Sequence, residues 1–478
     1  MKRLSALLFC FAIAGDGGTT SQPDAGADAG PAAPDSAVPI ECEFPAAMIA
    51  GSAETDALAD APARCGASAY TWLRDGEVGQ VVSVESADRY TPMLLTALAE
   101  GAGVVLPRAP GEPTSVRTIR YRTQDRGALV EATALVAVPE GEAGRARDVL
   151  LFLHGTSGFR PGCGGSDESG NRILMALLAS YGFIVVAPDY LGLESGAETY
   201  GALHPYLVGE ATAIASIDAV RAAAALAPSD RGDTCVAPRV ATLGGSQGGH
   251  AALWVDRLMP YYARELTHVG VVATVPPANL LAQITRAVLA PVDATANTAA
   301  FYGAASSWYG YGDRLDEVFT APYDVDVAAA LAAACSPGDL LPATLEELFT
   351  SEVLSAAGGG TFADLAPWGC MAAENGLTST SIARISVDAS SYGILFVTGE
   401  VDPLVDTPTE RASFQTLCDA GIPMQYLECE GASHGATTAW ALPEILRFVE
   451  ARFAGEAFVP PSSCVPPAAS RCEATPAD

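Results

Sequence analysis

The chain has 478 residues, enough for one large α/β domain with insertions or for two smaller domains. It is 49% apolar and only 17% charged, a balance that suits a packed globular protein and excludes a largely disordered one. With 26 Lys and Arg against 56 Asp and Glu, the formal charge is −30, and a surface this acidic argues against nucleic acid as a partner.

Met1-Lys2-Arg3 is a short basic start, followed by the uncharged run 4–14 that closes on Ala12-Ile13-Ala14. This is the form of an export signal over 1–14. The run is too short to span a bilayer, which needs ~20 apolar residues. Residues 15–40 are almost entirely Ala, Gly, Asp, Pro, Ser and Thr, with almost no apolar bulk to bury, and are expected to be a disordered tether. Of eleven Cys, ten remain once Cys10 leaves with the signal. Ten thiols in an oxidising destination imply disulfides, and a secreted or cell-surface protein is expected. No C-x-x-C pair occurs, which leaves a zinc knuckle or a thioredoxin-type site without support.

Residues 116–122 and 129–138 alternate apolar and polar side chains, as a half-exposed hairpin would. Short, nearly solid apolar runs follow at 149–153, 183–187, 240–243 and 269–275, and read as strands buried on both faces, hence a parallel sheet. Helical patterns at 173–180, 210–227 and 250–264 separate them, which makes the fold class α/β. The alternation lapses over 276–386, an Ala-rich stretch with an aromatic cluster of Phe301, Tyr302, Trp308, Tyr309 and Tyr311. An insertion of that size carries structure of its own, and a helical cap is expected. Strands resume at 394–397 and 424–427, and a last helix covers 442–453. The predicted organisation is a first core part over 41–275, a cap or lid over 276–386, a second core part over 387–455 and a Pro-rich tail over 456–478, pinned by Cys464 and Cys472.

Gly244-Gly245-Ser246-Gln247-Gly248-Gly249 fits G-x-S-x-G, a Ser on a sharp turn between a buried strand and a helix. Gly431-Ala432-Ser433-His434-Gly435 fits the same pattern, but no His follows Ser433 except its neighbour His434. Ser246 is therefore the expected nucleophile, and His434, on the loop after the last strand, the expected base. His250 and His268 read as structural. Asp402, in the turn after strand 394–397, is the expected acid, with Glu400 and Asp406 as rivals. Asp189 precedes Ser246 and is read as a loop brace. After the strand 149–153, the turn at His154-Gly155-Thr156 is where half of an oxyanion hole would stand, with the Thr156 and Gln247 amides as donors. Such a set performs acyl transfer through a covalent Ser246 intermediate, with no metal or organic cofactor.

Three stretches, Pro188-Asp189-Tyr190-Leu191-Gly192-Leu193, His204-Pro205-Tyr206-Leu207 and the run from Gly244 to Gly249, make the chain resemble the secretory lipase family, the lipase A-like branch of the α/β-hydrolases, over about residues 80–455. The resemblance implies a mostly parallel sheet flanked by helices, a large helical cap before the acid, and hydrolysis of acylglycerols or simpler esters. It also implies a Cys163–Cys235 disulfide. Cys335–Cys370 and Cys42–Cys65 are the further pairings expected. The leading reading is a secreted lipase or carboxylesterase acting on small-molecule or lipid esters, with transient contact at a lipid interface. The alternatives are an exported serine peptidase, for which Glu194 or Glu198 would hold the substrate amine, and a surface-displayed binding protein without activity. The aromatic cluster of 301–311 fits an acyl pocket, a lid face or the core of the cap.

Overall fold

The computed structural model describes residues 43–49, 65–66, 72–74, 76–141, 144–196, 200–336, 344–387 and 389–476. The expected export signal and tether, and Cys42 and Glu198, lie outside them. Ten strands form one sheet: β1 (Val81–Val84), β2 (Asp88–Tyr90), β3 (Thr114–Asp125), β4 (Ala128–Pro139), β5 (Ala146–Leu153), β6 (Ile184–Pro188), β7 (Cys235–Gly245), β8 (Thr267–Thr274), β9 (Ile394–Gly399) and β10 (Met424–Cys429). Their order is β1-β3-β4-β6-β5-β7-β8-β9-β10, with β2 also paired to β3. The sheet is antiparallel from β1 to the β4–β6 pair and parallel from β6 to β10.

Local sequence explains the elements. Asp125 pairs with Ala128, so β3 and β4 are joined by Arg126-Gly127 alone. Both residues have positive φ, 48° and 78°, as a two-residue turn matched to strand twist requires, and Gly127 adopts this without strain. The hairpin is not half-exposed as its alternation suggested: most of both strands is buried. The polar residues of β3 are satisfied inside the protein. Thr123 donates to Asp218, Gln124 donates to Tyr262, and Arg117 pairs with Asp230. Alternation therefore marks a polar network under a helix rather than a wet face.

The parallel strands are solid apolar runs because helices cover both faces. Helices Gly209–Ala224 and Gln247–Tyr262 pack on one side, Ser169–Ala179 and Leu442–Phe453 on the other. Between β8 and β9 the chain forms helices Leu280–Leu289, Ala294–Tyr309, Tyr323–Ala333, Ser351–Gly358 and Trp368–Glu374. Most of the aromatic cluster is core here. Tyr302 and Trp308 are buried, and the Trp308 indole donates to Asp125 Oδ1 at 2.8 Å.

Disulfide pairing departs from expectation. Cys163 bonds Cys335, Cys65 bonds Cys370, and Cys235 is disulfide-bonded but not to Cys163. The reason is the sheet. Cys235 opens β7 beside Ala146, at the start of β5, whereas Cys163 lies beyond the far end of β5. A strand of that length separates the two by roughly 25 Å, and a disulfide bridges Cα atoms only ~7 Å apart at most. Cys418–Cys464 and Cys429–Cys472 tie the C-terminal tail to the last part of the sheet.

Candidate active site

Ser246 stands between β7 and helix Gln247–Tyr262 with φ 57° and ψ −120°, a conformation disfavoured for any residue with a Cβ. Its amide donates to Thr274 O on β8 at 2.9 Å, which anchors the turn. The helix also passes very close to β5: a Cβ at Gly248 would lie 1.9 Å from Leu153 O. Only glycine permits that approach. The result is a rigid elbow that presents the Ser246 side chain at the C-terminal end of the sheet, where open α/β sheets place their ligands.

Two more strand ends bring in His434 and Asp402. His434 follows β10 and starts helix His434–Trp440, and its Nε2 is 2.9 Å from Ser246 Oγ. Its Nδ1 is 2.7 Å from Asp402 Oδ2. The other carboxylate oxygen of Asp402 accepts from the amides of Leu404 (2.9 Å) and Val405 (3.0 Å), so the buried side chain is held on both sides. With Asp402 accepting at Nδ1, the His434 proton sits on that nitrogen and Nε2 offers its lone pair to Ser246. The rival carboxylates are engaged elsewhere. Glu400 accepts from the Gly431 amide, and Asp406 caps helix Thr407–Asp419 through the amide and hydroxyl of Thr409.

The turn after β5 closes the opposite side. A Cβ at Gly155 would stand 3.7 Å from the Ser246 Cβ, so this loop lies against the Ser246 side chain. Thr156 follows it, and its Oγ1 is 2.9 Å from Tyr206 Oη. Among the described residues, neither the Thr156 nor the Gln247 amide donates to a protein acceptor. The Gln247 side chain is fixed instead: His204 Nδ1 contacts Leu191 O at 2.8 Å, and Gln247 Nε2 faces His204 Nε2 at 2.6 Å. Burial pushes His204 down to about 3, so the ring is neutral: its Nδ1–H donates to Leu191 and its Nε2 accepts from Gln247.

The remaining histidines and Asp189 have structural surroundings. His154 stacks on Tyr190 and is held below its ordinary range by burial. His250 contacts Asn375 O at 2.7 Å, and burial lowers it to about 4. His268 is 3.0 Å from Thr242 Oγ1 and is likewise lowered to about 4. Asp189 accepts from the Ser166 amide (2.7 Å) and the Thr133 hydroxyl (2.6 Å), tying the loop after β5 to β4. Burial pushes its carboxyl up to about 7. Glu194 is fully buried and accepts from the Gly192 amide.

A cavity opens beside Ser246 and Gln247. Leu280, Ile284 and Phe301 line it from the helices between β8 and β9, and Tyr206 and Asn297 add polar groups. Phe301 is thus the one residue of the aromatic cluster that reaches the cavity. The sequence reading gave no role to Tyr206 or Asn297. The lone signal for Asn297 is a polar amide in the first turn of helix Ala294–Tyr309, among Ala and Thr residues.

Among solved structures, the fold is similar to a ligand-bound form of the rice cell wall degrading esterase LipA from Xanthomonas oryzae, at 20% identity over 79% of this chain and 97% of that one, with a TM-score of 0.62. It is also similar to Candida antarctica lipase A in its closed state, at 16% identity over 84% of this chain and 87% of that one, with a TM-score of 0.63. Comparison with curated proteins finds no match. A profile described as secretory lipase matches residues 169–460, more than half of the chain. The chain therefore belongs to the secretory lipase family and is a carboxylic ester hydrolase with an α/β-hydrolase fold.

Proposed function

We propose that this ester hydrolase works by acyl transfer through Ser246. His434 takes the Ser246 proton as Oγ attacks the ester carbon, and Asp402 holds the imidazole in the required tautomer and stabilises the imidazolium. The Thr156 and Gln247 amides receive the oxyanion. His434 then returns the proton to the leaving alcohol, and water releases the acid from Ser246 by the same steps. The observation that carries this reading is the Ser246–His434–Asp402 chain, with contacts of 2.9 and 2.7 Å built from three separate strand ends. We read residues 276–386 as the cap that walls the acyl cavity, with a lipase or carboxylesterase substrate range. We read the protein as secreted through the signal at 1–14 and joined to it by the tether at 15–40.

The test is covalent labelling. Diethyl p-nitrophenyl phosphate should add one diethylphosphoryl group to the protein, located by peptide mass spectrometry on Ser246, and Ser246→Ala should take up none. Labelling that survives Ser246→Ala unchanged contradicts the assignment.

A further inference from the structure

Three side chains beside Ser246 form a polar chain that acyl transfer, as described, does not use. Asn297 Nδ2 donates to Tyr206 Oη at 2.9 Å, and Tyr206 Oη is 2.9 Å from Thr156 Oγ1. The three come from distant parts of the fold. Asn297 lies in helix Ala294–Tyr309, Tyr206 just before helix Gly209–Ala224, and Thr156 in the turn after β5. Tyr206 and Asn297 line the same cavity as Ser246 and Gln247.

Hydrogen-bond inventory allows the chain to run from Asn297 through Tyr206 to Thr156, while either oxygen of the Tyr206–Thr156 contact can donate. Tyr206 is buried, and burial raises its phenol above the ordinary value against the smaller effects of Thr156 and Asn297, so it carries its proton at any working pH. The phenol accepts from the Asn297 amide, and its single proton is then free to go to Thr156 Oγ1. A Thr156 hydroxyl that accepts from Tyr206 keeps its own proton for a third group. The loop places that hydroxyl one residue from Gly155, which lies against Ser246.

We propose that Asn297 and Tyr206 are positioning residues that turn the Thr156 hydroxyl proton toward the oxyanion, making it a third donor beside the Thr156 and Gln247 amides. This rests on the acyl-transfer reading above. No bond is made or broken by the relay. Each donor polarises the next, and the gain is largest when the final acceptor carries charge. Charge on that oxygen develops in the transition state, so the relay acts on kcat and leaves KM nearly untouched. It also makes the oxyanion site depend on a helix of the insertion between β8 and β9.

The test compares Thr156→Val, Thr156→Ser, Tyr206→Phe and Asn297→Leu, with the last two also combined with Thr156→Val, on p-nitrophenyl butyrate. Thr156→Val should lower kcat by ~10²-fold, the usual cost of one oxyanion donor, and Thr156→Ser should restore most of it. Tyr206→Phe and Asn297→Leu should each lower kcat by up to about tenfold, the worth of one hydrogen bond. Neither should lower it further once Thr156 is Val, because both act only through that hydroxyl. Unchanged kcat in Thr156→Val overturns the proposal. So do losses from Tyr206→Phe or Asn297→Leu that persist in full in the Thr156→Val background, since those would be packing effects. Inactivation by diethyl p-nitrophenyl phosphate, whose phosphoryl oxygen would occupy the same hole, gives a second readout independent of the ester chosen, and its rate constants should follow the same pattern. The two readings fail differently. Equal labelling of wild type and Ser246→Ala ends the acyl-transfer reading, whereas labelling of Ser246 at the wild-type rate in Thr156→Val ends the relay alone.

Discussion

Gly248→Ala would add one methyl group at the tightest point of the elbow. The new Cβ would lie 1.9 Å from Leu153 O and 2.7 Å from His154 O, whereas real Cβ contacts essentially never fall under 3.0 Å. Both obstacles are backbone atoms, so the end of β5 and the start of helix Gln247–Tyr262 must separate by about 1 Å. The two proposed oxyanion amides sit on opposite sides of that gap: Gln247 precedes residue 248, and Thr156 follows His154 by two. A misplacement of this size costs on the order of 10² in rate, or about 3 kcal/mol of activation free energy. Forcing the extra group into a packed site should also cost about 1–3 kcal/mol of stability. Initial rates on p-nitrophenyl butyrate give kcat, and a thermal melt followed by circular dichroism separates lost chemistry from lost fold. Gly358→Ala is the control, because a Cβ there meets nothing within 4 Å at the end of helix Ser351–Gly358. That variant should keep full activity. A Gly248→Ala protein with wild-type kcat and an unchanged melting curve would refute the reasoning.

Three further outcomes are expected. Asp402→Asn should lower kcat by ~10⁴-fold with little change in KM, because an amide can hold His434 in the wrong tautomer; steady-state kinetics on the same ester checks this. Glu410 accepts from the Ala278 amide and from Gln283, and burial pushes its carboxyl up to about 7 from an ordinary 4.5. A raised carboxyl favours the folded state below its unfolded pKa, and that contribution is lost as pH rises through about 7. Wild type should therefore lose roughly 3 kcal/mol more than Glu410→Gln between pH 5 and pH 8 in urea titrations. Removing the Cys163–Cys335 bridge with paired Ser substitutions releases a link between residues 172 apart and should cost up to about 5 kcal/mol. Thermal melting of the double variant against wild type reads this directly.

The sequence was most legible where burial leaves a compositional trace. The solid apolar runs at 149–153 and 183–187 read as strands covered on both faces, and they fall on the adjacent parallel strands β5 and β6. Ser246 and His434 were legible because each follows a strand at a turn of small residues, and Asp402 because it follows β9. The hairpin β3–β4 misled because polar residues of a buried strand alternate just as those of a wet strand do; Thr123 and Gln124 find partners on helices that the local pattern does not contain. Cysteine pairing was illegible for a similar reason. Cys163 meets Cys335 only because helices between β8 and β9 fold back over the turn after β5. The roles of Tyr206 and Asn297 escaped because their contact spans 91 residues; Asn297 sits in no motif, and the stretch His204-Pro205-Tyr206-Leu207 does not by itself say what Tyr206 touches.

The central claim is that Ser246 is the nucleophile of an ester hydrolase. Initial rates on p-nitrophenyl esters from acetate to palmitate, for wild type and Ser246→Ala side by side, test it most directly. Wild type should hydrolyse the esters robustly with a chain-length optimum set by the cavity beside Ser246, and a Ser246→Ala protein that melts like wild type should lose nearly all turnover. Hydrolysis that persists at the wild-type rate in Ser246→Ala would contradict it.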